Sequence, residues 1–523
     1  MAITTSQLKS RRADAQKERD SFQPLLDEVF RYAIPLRKST RNSGTGENRS
    51  DQVFDSTAPN AAVRFAGKYQ QDIFPVGQKN FDLEPGPLVP PGKERERLAA
   101  DLATLSTICQ AFFEGDWDMA VHEMAMDLNA GTGCILMNPG SEYSELWSPI
   151  SVPIDEVTLE GGANNKISGI FWDREMSFRV LQETWPDGEI GEDLKKLKPA
   201  DKVVVHIDTV WEAPKGNRAA GRWRMIVWCD KQEARIFASE SRTCPWLTPR
   251  YLRVPGETMG RGQAMIAMPE IKTLNTAKRL QLQAAAIAML GIYTAVDDGV
   301  FNPDLSPLQP GIHWKVASNG GGSRGPSVQR FPDPRLDLSG MVVENMQMSV
   351  KEIMMDGALP VEGAAVKSPT EILERVKRLA IDHQGAFARQ VQELTVPAVK
   401  RVIELAYNKG LIRDMPPIDQ LLVKIKIKSP IALAREAQRV QRIIQWLEMV
   451  IAVTTSIGQI DGASRIAHIE KILTDAGAGL GIEPQYIVTS DERAKIDKDK
   501  QQQALLLAAA SAAGAAPAAA AGA

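Results

Sequence analysis

The sequence predicts a predominantly helical α+β protein that contains several modules. Apolar residues recur every three or four positions through long stretches in both halves of the chain, which is the spacing of amphipathic helices. Between residues 134 and 253 the pattern changes to short strand-like runs separated by turn residues. The length of 523 residues exceeds what one hydrophobic core usually serves.

Two helices are predicted near the N-terminus. The first covers residues 6–34, where an apolar stripe follows a charged first half, and Pro35 ends it. A polar loop over 40–51 leads to a second helix that begins near Ser56 and stops before Pro75. The stripe of the first helix consists of Phe22, Leu26, Val29 and Ala33.

A helix or helix pair over 93–129 and an antiparallel β module follow. The turn-rich stretch 85–91 reads as a linker before that helix, and Gly131 and Gly133 end it. The strand-like runs of the β module are 152–159, 166–177, 203–211 and 222–229.

Two basic stretches admit a nucleic-acid interpretation as well as a structural one. Arg222, Trp223, Arg224 and Trp228 could stack bases, but their alternation fits a half-buried strand, which we favour. The first helix carries a basic set interleaved with acidic residues, and we interpret this as a solvated helix face. The basic set is Lys9, Arg11, Arg12, Lys17 and Arg19.

The second half of the chain is predicted to be mainly helical. A helix over 264–290 precedes an irregular region, a Met-rich helix over 341–355 and a loop. Ser368 to Glu371 form a capping box that opens a helix ending at Gly410, which Pro397 should kink. Further helices are predicted from residue 430 and over about 465–475, and the Ala-rich end is expected to be disordered.

Composition and charge limit the possible functions. The formal net charge is −3, whereas proteins that grip nucleic acid by its phosphates usually carry a basic excess. Any contact with DNA should therefore be weak or local.

The four cysteines form no Cys-x-x-Cys pair, so we expect buried thiols and no metal site. The Ala-rich C-terminal run is too weakly apolar to predict a membrane span.

The sequence contains no recognisable catalytic constellation. It has no P-loop and no Gly-x-Ser-x-Gly elbow, and its acidic pair at 297–298 fits a solvated loop better than a Mg²⁺ site. We therefore expect no catalytic residue, no cofactor and no metal. Long helices joined by one β module indicate a structural or assembly protein.

Ordered segments across residues 20–460 resemble the portal protein, or head-to-tail connector, of short-tailed bacteriophages. The segments at the N-terminus are Tyr32-Ala33-Ile34-Pro35 and Phe54-Asp55-Ser56-Thr57-Ala58. Those in the middle are Gly260-Arg261-Gly262, the run from Pro269 to Asn275, and Asp297-Asp298-Gly299. Those at the end are Thr370-Glu371 with Arg375, then Pro397 and Gly410. Met259 and Gln263 depart from residues that are often aromatic and proline in relatives.

The resemblance implies a dodecameric ring with a central channel and a subunit of wing, stem, clip and crown regions. The implied regions are a wing over 1–263, stem helices over 264–290 and 336–355, a clip over 291–335, a tunnel loop over 356–368, a kinked wing helix and following segment over 369–428, a crown over 429–490 and a tail over 491–523.

The resemblance also implies partners and channel-facing residues. The candidates for the channel wall are Lys272, Lys278, Lys351, Glu352 and Lys367, and those for the tunnel loop are Asp356, Gly357, Pro360, Glu362 and Gly363. The implied partners are eleven further copies, double-stranded DNA, the major capsid and scaffolding proteins, the terminase large subunit and a tail adaptor. The implied location is the virion, with the host cytoplasm during assembly.

Two other function classes stay open at this point. A tail adaptor or internal core protein would also be a helical virion component. A packaging enzyme is a weaker alternative, because the sequence lacks a P-loop and clustered carboxylates.

Overall fold

A computed structural model of the chain describes residues 4–37, 50–140, 147–213, 221–229, 232–290, 293–295, 328–330, 336–355, 384–413, 419, 421–428, 430–456 and six isolated positions after 470. The chain divides into two compact units, one of 1–78 with 82–425 and one of 79–81 with 426–523. Helices and strands alternate along the first unit, so the α+β expectation is confirmed.

An antiparallel five-stranded sheet is the centre of the first unit. Its strands are β4 (Val157–Gly161), β5 (Ile167–Ser177), β6 (Lys202–Glu212), β7 (Arg222–Cys229) and β8 (Gln232–Ser241), paired in that order. Helices α5 (Phe178–Thr184) and α6 (Glu192–Lys195) lie between β5 and β6. A three-stranded sheet joins β2 (Ile135–Pro139) to β3 (Trp147–Ser151) and β9 (Trp246–Leu247). The strand expected over 152–159 is wrong in its first half, where a 3-10 turn over Ile154–Glu156 separates β3 from β4.

The second half of β7 is buried on both faces of the five-stranded sheet, so the expectation of a half-buried strand holds only for its first half. Residues 226 to 229 of β7 are all buried. Val227 and Cys229 belong to the main hydrophobic core, whereas Ile226 and Trp228 belong to a smaller core with Leu8. A strand buried on both faces loses its polar alternation. Trp228 is therefore a core residue.

Helix α1 (Thr5–Tyr32) covers the second face of the five-stranded sheet. The charged first half of this helix is therefore not a solvated face. Arg11 forms a bidentate pair with Glu160 of β4, with its shorter contact at 2.5 Å. Arg19 is buried and donates to the backbone carbonyl of Asp155. Only the pair between Lys17 and Asp14 remains fully exposed in the way that the sequence suggested. Interleaved charges do not reveal whether their partners lie in solvent or on a distant strand.

Three helices pack beside this core. They are α2 (Thr57–Ile73), α3 (Lys93–Gln110) and α4 (Asp116–Leu128), so the helix-pair interpretation of 93–129 is confirmed. Rings from the ends of α2, α3 and α4 form an aromatic cluster in which Trp117 stacks on Trp147 at 5.2 Å between centroids. Phe74 and Phe113 contact the same Trp117 edge-on.

One short pair of strands lies outside the predicted β module. β1 (Phe81–Pro85) and β12 (Val423–Ile427) form a two-stranded sheet, although neither strand was predicted and residues 85–91 were expected to be a linker. Just beyond β1, the Gly86 amide donates to Leu422 O at 2.7 Å and an added Cβ on Gly86 would lie 1.9 Å from Leu421 O. The turn residues at 85–91 therefore hold a strand pairing and not a free linker.

Two long helices and a short ribbon follow the sheets. Along the chain, helix α7 (Gln263–Leu290) is followed by the two-stranded ribbon of β10 (Tyr293–Ala295) and β11 (Val328–Arg330), and then by helix α8 (Leu336–Ile353). Helix α9 (Gln384–Gln390) continues through a π-helical segment, Val391–Thr395, into α10 (Val396–Asn408). The π segment ends two residues before Pro397, whose ring clashes with the carbonyl four residues earlier in a regular helix.

The second unit contains one long described helix. Helix α11 (Pro430–Ser456) confirms the helix expected from residue 430. In the same unit the Lys428 amide donates to Asn80 O at 2.9 Å. The helix expected over 465–475 and the tail over 491–523 lie, apart from isolated positions, outside the described residues.

Candidate channel-lining helices

Helices α7 and α8 form an antiparallel pair. At one end the side chain of Gln263 donates to the Tyr251 hydroxyl at 2.7 Å, and that hydroxyl lies 3.4 Å from the sulfur of Met355. Further along, the amide of Gln281 lies 4.0 Å from where a Cβ on Gly340 would be. Since Gln263 begins α7 and Met355 follows α8, the two helices run in opposite directions.

The inner faces of the pair are part of the main hydrophobic core. The buried positions recur every three or four residues, which places them on one stripe of each helix. They are Ala264, Ala267, Met268, Ile271 and Leu274 on α7, with Val343 and Val350 on α8. Because this stripe is buried in the subunit core, only the other faces of the two helices are available for further contacts.

Close backbone contacts fix the start of α7. A Cβ on Gly262 would lie 1.9 Å from Asn129 O, and one on Gly260 would lie 2.3 Å from Gly131 O. The Ala264 amide donates to the same Asn129 carbonyl at 3.2 Å. The Gly260-Arg261-Gly262 segment is therefore glycine-rich because two chain segments cross there without room for side chains.

A buried chain of hydrogen bonds joins this region to the π-helical segment. The Tyr69 hydroxyl donates to Gln390 Oε1 at 2.8 Å, and Gln390 Nε2 donates to the Arg250 carbonyl at 2.9 Å. Arg250 forms a bidentate pair with Glu393 at 2.7 and 3.1 Å. Burial raises the pKa of Tyr251 to about 12 and that of Tyr69 well above its usual value, so both hydroxyls stay protonated at neutral pH.

Two of the expected channel residues are available on α8. Lys351 and Glu352 are both exposed, and neither has an ion-pair partner within the part of the chain that the structure describes. Glu352 lies on the side of α8 away from the buried Val350, and Lys351 lies about 100° around the helix from it. Their charges are therefore free to meet a neighbouring molecule.

The two expected lysines on α7 are already engaged. Lys272 Nζ lies 2.7 Å from Glu28 Oε1 of α1, and both side chains are about half exposed. Lys278 Nζ donates to Gln281 Oε1 at 3.2 Å, on the side of α7 nearer Gly340 of α8. The structure therefore does not bring the four described candidates onto one face.

The remaining candidates lie outside the described residues. Lys367 and the expected tunnel-loop residues lie within 356–383, which the structure does not describe. Met355 has a φ of 56°, in the left-handed region that non-glycine residues rarely adopt. The chain thus leaves α8 through a sharp backbone turn. The tunnel-loop residues in question are Asp356, Gly357, Pro360, Glu362 and Gly363.

Sequence reasoning missed a further basic residue on α7. Arg279 is exposed and follows Lys272 by seven positions, which places both on nearly the same face of the helix. No described side chain pairs with it. The run Lys278-Arg279 was visible in the sequence, and the seven-residue spacing from Lys272 was the signal that could have identified Arg279.

The outer faces of the helix pair also expose large apolar side chains. These are Leu280, Leu282, Met289, Met341, Val342 and Met348, with Met289 85% and Met341 64% exposed. These side chains are spread over more than one side of the pair, since Leu280 and Leu282 are about 200° apart around α7.

Other kinds of site find little support within the described ranges. No group of three histidine, cysteine or acidic residues there has an arrangement that could hold a metal ion. Of the same residues, none belongs to a helix that is long and apolar enough to cross a membrane.

Comparison with known proteins gives one family. The model of the family described as bacteriophage head to tail connecting protein matches residues 5–486, which is most of the chain. No curated protein matches the sequence. The family is a structural one and not a family of enzymes, and its members are components of the phage virion. The match includes α7, α8 and the glycine-rich crossing that precedes them. The chain belongs to the bacteriophage head to tail connecting protein family.

Proposed function

We propose that this connector subunit forms a portal ring whose central channel passes double-stranded DNA into the head and out again. In this proposal α7 and α8 are the stem that lines the channel. The observation that carries it is the antiparallel helix pair, which buries one stripe in the subunit core and exposes apolar and basic side chains on its other faces. A ring buries the apolar side chains between neighbours and leaves charged ones facing the axis.

We extend the proposal to the other regions that the resemblance implies. Residues 1–263 and 369–428 form the wing, 291–335 the clip, 356–368 the tunnel loop and 429–490 the crown. The clip would meet the terminase large subunit during packaging and a tail adaptor afterwards. The wing would meet the major capsid and scaffolding proteins. We take the ring order to be twelve, and assembly to occur in the host cytoplasm.

Charge supports a channel through which DNA slides. Twelve copies of a chain with a net charge of −3 carry −36, which repels phosphate over the ring as a whole. Lys351 and Arg279 would add isolated basic rings that touch the DNA backbone without gripping it. Contacts of this kind carry no base specificity.

Electron microscopy of the purified protein in negative stain, with its mass measured in parallel, tests the ring. Twelve subunits of 57.3 kDa each give a mass of about 688 kDa, and duplex DNA needs an opening of roughly 20 Å. Closed rings with this mass and opening would support the proposal. Particles without an opening, assembled in the presence of scaffold, would instead favour an adaptor or core protein.

A further inference from the structure

A groove lies over the inner face of the five-stranded sheet, away from α7 and α8. Its volume is about 860 Å³, at the upper end of the range for ligand sites in proteins. Its floor consists of Trp172, Ile207, Met225 and Phe237, one from each of the strands β5 to β8. Helices α5 and α10 form two walls and the strands β2 and β3 a third. Trp172 and Ile207 are almost fully buried, so the part of the floor that a bound molecule can reach consists of the half-buried Met225 and Phe237.

One positively charged side chain, that of Arg174, lies on this apolar floor without an acidic partner among the described residues. Arg174 of β5 is half buried, and its guanidinium carbon lies 5.3 Å from the centre of the Trp172 ring. It pairs with Val205 across the sheet, and no acidic residue in the described part of the chain contacts it. A partly desolvated guanidinium gains most from a carboxylate that binds it in a bidentate way.

The other charged groups along the groove are already paired or lie at its exposed rim. Glu240 pairs with Arg224 at 2.7 Å, and Glu183 pairs with Arg179 at the same distance. A second guanidinium, that of Arg401, is nearly buried and pairs with Glu404 at 3.3 Å, while its Nε atom has no hydrogen-bond partner among the described residues. Asp187 and Lys409 are exposed. The unmatched charge on the floor is therefore positive.

Polar side chains with unused hydrogen-bonding capacity surround the floor. They are Asn138, Ser148, Ser239 and Asn408, none of which makes a side-chain hydrogen bond to another described residue. Side chains of this kind can bond the amide groups of a polypeptide backbone. The groove has an aromatic side chain in its floor, amide and hydroxyl groups that are free to bond, and one unpaired guanidinium. These features together suit a peptide better than a compact metabolite.

We propose that this groove binds an extended segment of a partner protein in which one acidic residue is flanked by apolar residues. The acidic side chain pairs with Arg174, the apolar side chains cover Met225 and Phe237, and the peptide backbone bonds the polar side chains. This inference is independent of ring formation, because every lining residue belongs to one subunit.

The test measures fluorescence anisotropy with the full-length protein and two labelled heptapeptides, SVYELVS and SVYQLVS. We expect the glutamate peptide to bind about tenfold more tightly than the glutamine peptide, which is the value of one charge-assisted hydrogen bond. Arg174→Gln should abolish that difference. Lys202→Gln, which removes an exposed charge at the far end of β6, is the matched control and should preserve it.

A second variant separates groove binding from charge alone. Ser239→Trp fills the groove from β8 and should eliminate binding of both peptides while the circular dichroism spectrum stays unchanged. Equal binding of the two peptides by the wild type would overturn the proposal, as would unchanged binding by Ser239→Trp. Loss of ring mass in Ser239→Trp without an effect on peptide binding would assign the groove to a second copy of the chain, which also overturns it.

Discussion

Arg12 donates from Nη1 to Oδ1 of Asp208 at 3.0 Å, and the Asp208 side chain is fully buried. The indole of Trp228 donates to the other oxygen of that carboxylate at 2.6 Å. Burial raises the pKa of Asp208, while the Arg12 charge and the indole hydrogen bond oppose the rise. A residue in the first half of α1 thus supplies the counter-charge for an acid in the middle of the sheet.

Removal of this counter-charge should destabilise the first unit. Arg12→Ala leaves a buried carboxylate without its cation, and we expect a loss of about 3 kcal/mol in unfolding free energy, typical of a broken buried pair. Lys17→Ala removes an equally close but fully exposed pair and should cost less than about 1 kcal/mol. Urea unfolding followed by tryptophan fluorescence measures both. Equal midpoints for the two variants would show that the Arg12 pair contributes nothing beyond a surface pair.

Because Asp127 is buried, we expect the stability of the folded chain to depend on pH in a specific way. Burial raises its pKa from 3.8 to about 7, against the opposing charge of Arg37 at 2.9 Å and together with the like charge of Asp155. Between pH 4 and 7 the folded chain therefore keeps a proton that the unfolded chain has released. The contribution of this group to stability falls as the pH rises through that window and is fully lost above it.

Asp127→Asn should remove that part of the pH dependence. The amide can still accept from the Ile154 backbone N–H, which lies 3.3 Å from the carboxylate. We expect the urea midpoint of the wild type to fall more than that of the variant between about pH 5 and pH 8. Parallel curves for the two proteins would mean that Asp127 has the same proton affinity in both states.

The glycine crossing before α7 should tolerate no side chain. Gly262→Ala would place a Cβ 1.9 Å from the Asn129 carbonyl oxygen, so we expect insoluble protein or a melting temperature lower by 10 °C or more, on the order of a several-kcal/mol clash. Gly67→Ala in α2 meets no atom within 4 Å and should be neutral or slightly stabilising. A soluble Gly262→Ala protein with an unchanged melting temperature would show that the crossing is looser than described.

The exposed cations of the proposed stem should affect DNA retention. Combined Lys351→Ala and Arg279→Ala removes the two described basic residues of the stem that lack a partner, and we expect heads that package DNA but retain less of it. Lys196→Ala, an exposed lysine paired with Asp193 in α6, is the control and should have no effect. DNA per head, measured after nuclease treatment, distinguishes them. Unchanged retention in the double variant would remove these residues from the channel account.

The sequence predicted elements whose apolar spacing is set by one buried face. The stripe from Phe22 to Val29 is buried as expected, and so are Trp117 and Met124 of α4. The same reasoning failed for the second half of β7, because α1 covers the second face of the sheet and a strand buried on both faces loses its alternation. Only the tertiary placement of α1 shows that Trp228 is in a core.

The residues of the candidate site were harder to predict from the sequence than the fold was. Lysines on a helix can be identified from spacing, but whether Lys272 is free depends on Glu28, which is 244 residues away. The strand pair of β1 and β12 was missed for the same reason, since Gly86 and Leu422 come together only in the folded chain. Long-range pairing of this kind leaves no local pattern.

The most direct test of the central claim is a cryo-electron microscopy reconstruction of the purified assembly. We expect a closed ring in which α7 and α8 are the elements nearest to the axis, around an opening wide enough for duplex DNA. Lys351 and Arg279 should face that opening, with Met341 and Met348 against neighbouring subunits. A ring whose opening is lined by the five-stranded sheet, or by any element other than the α7–α8 pair, would contradict the account.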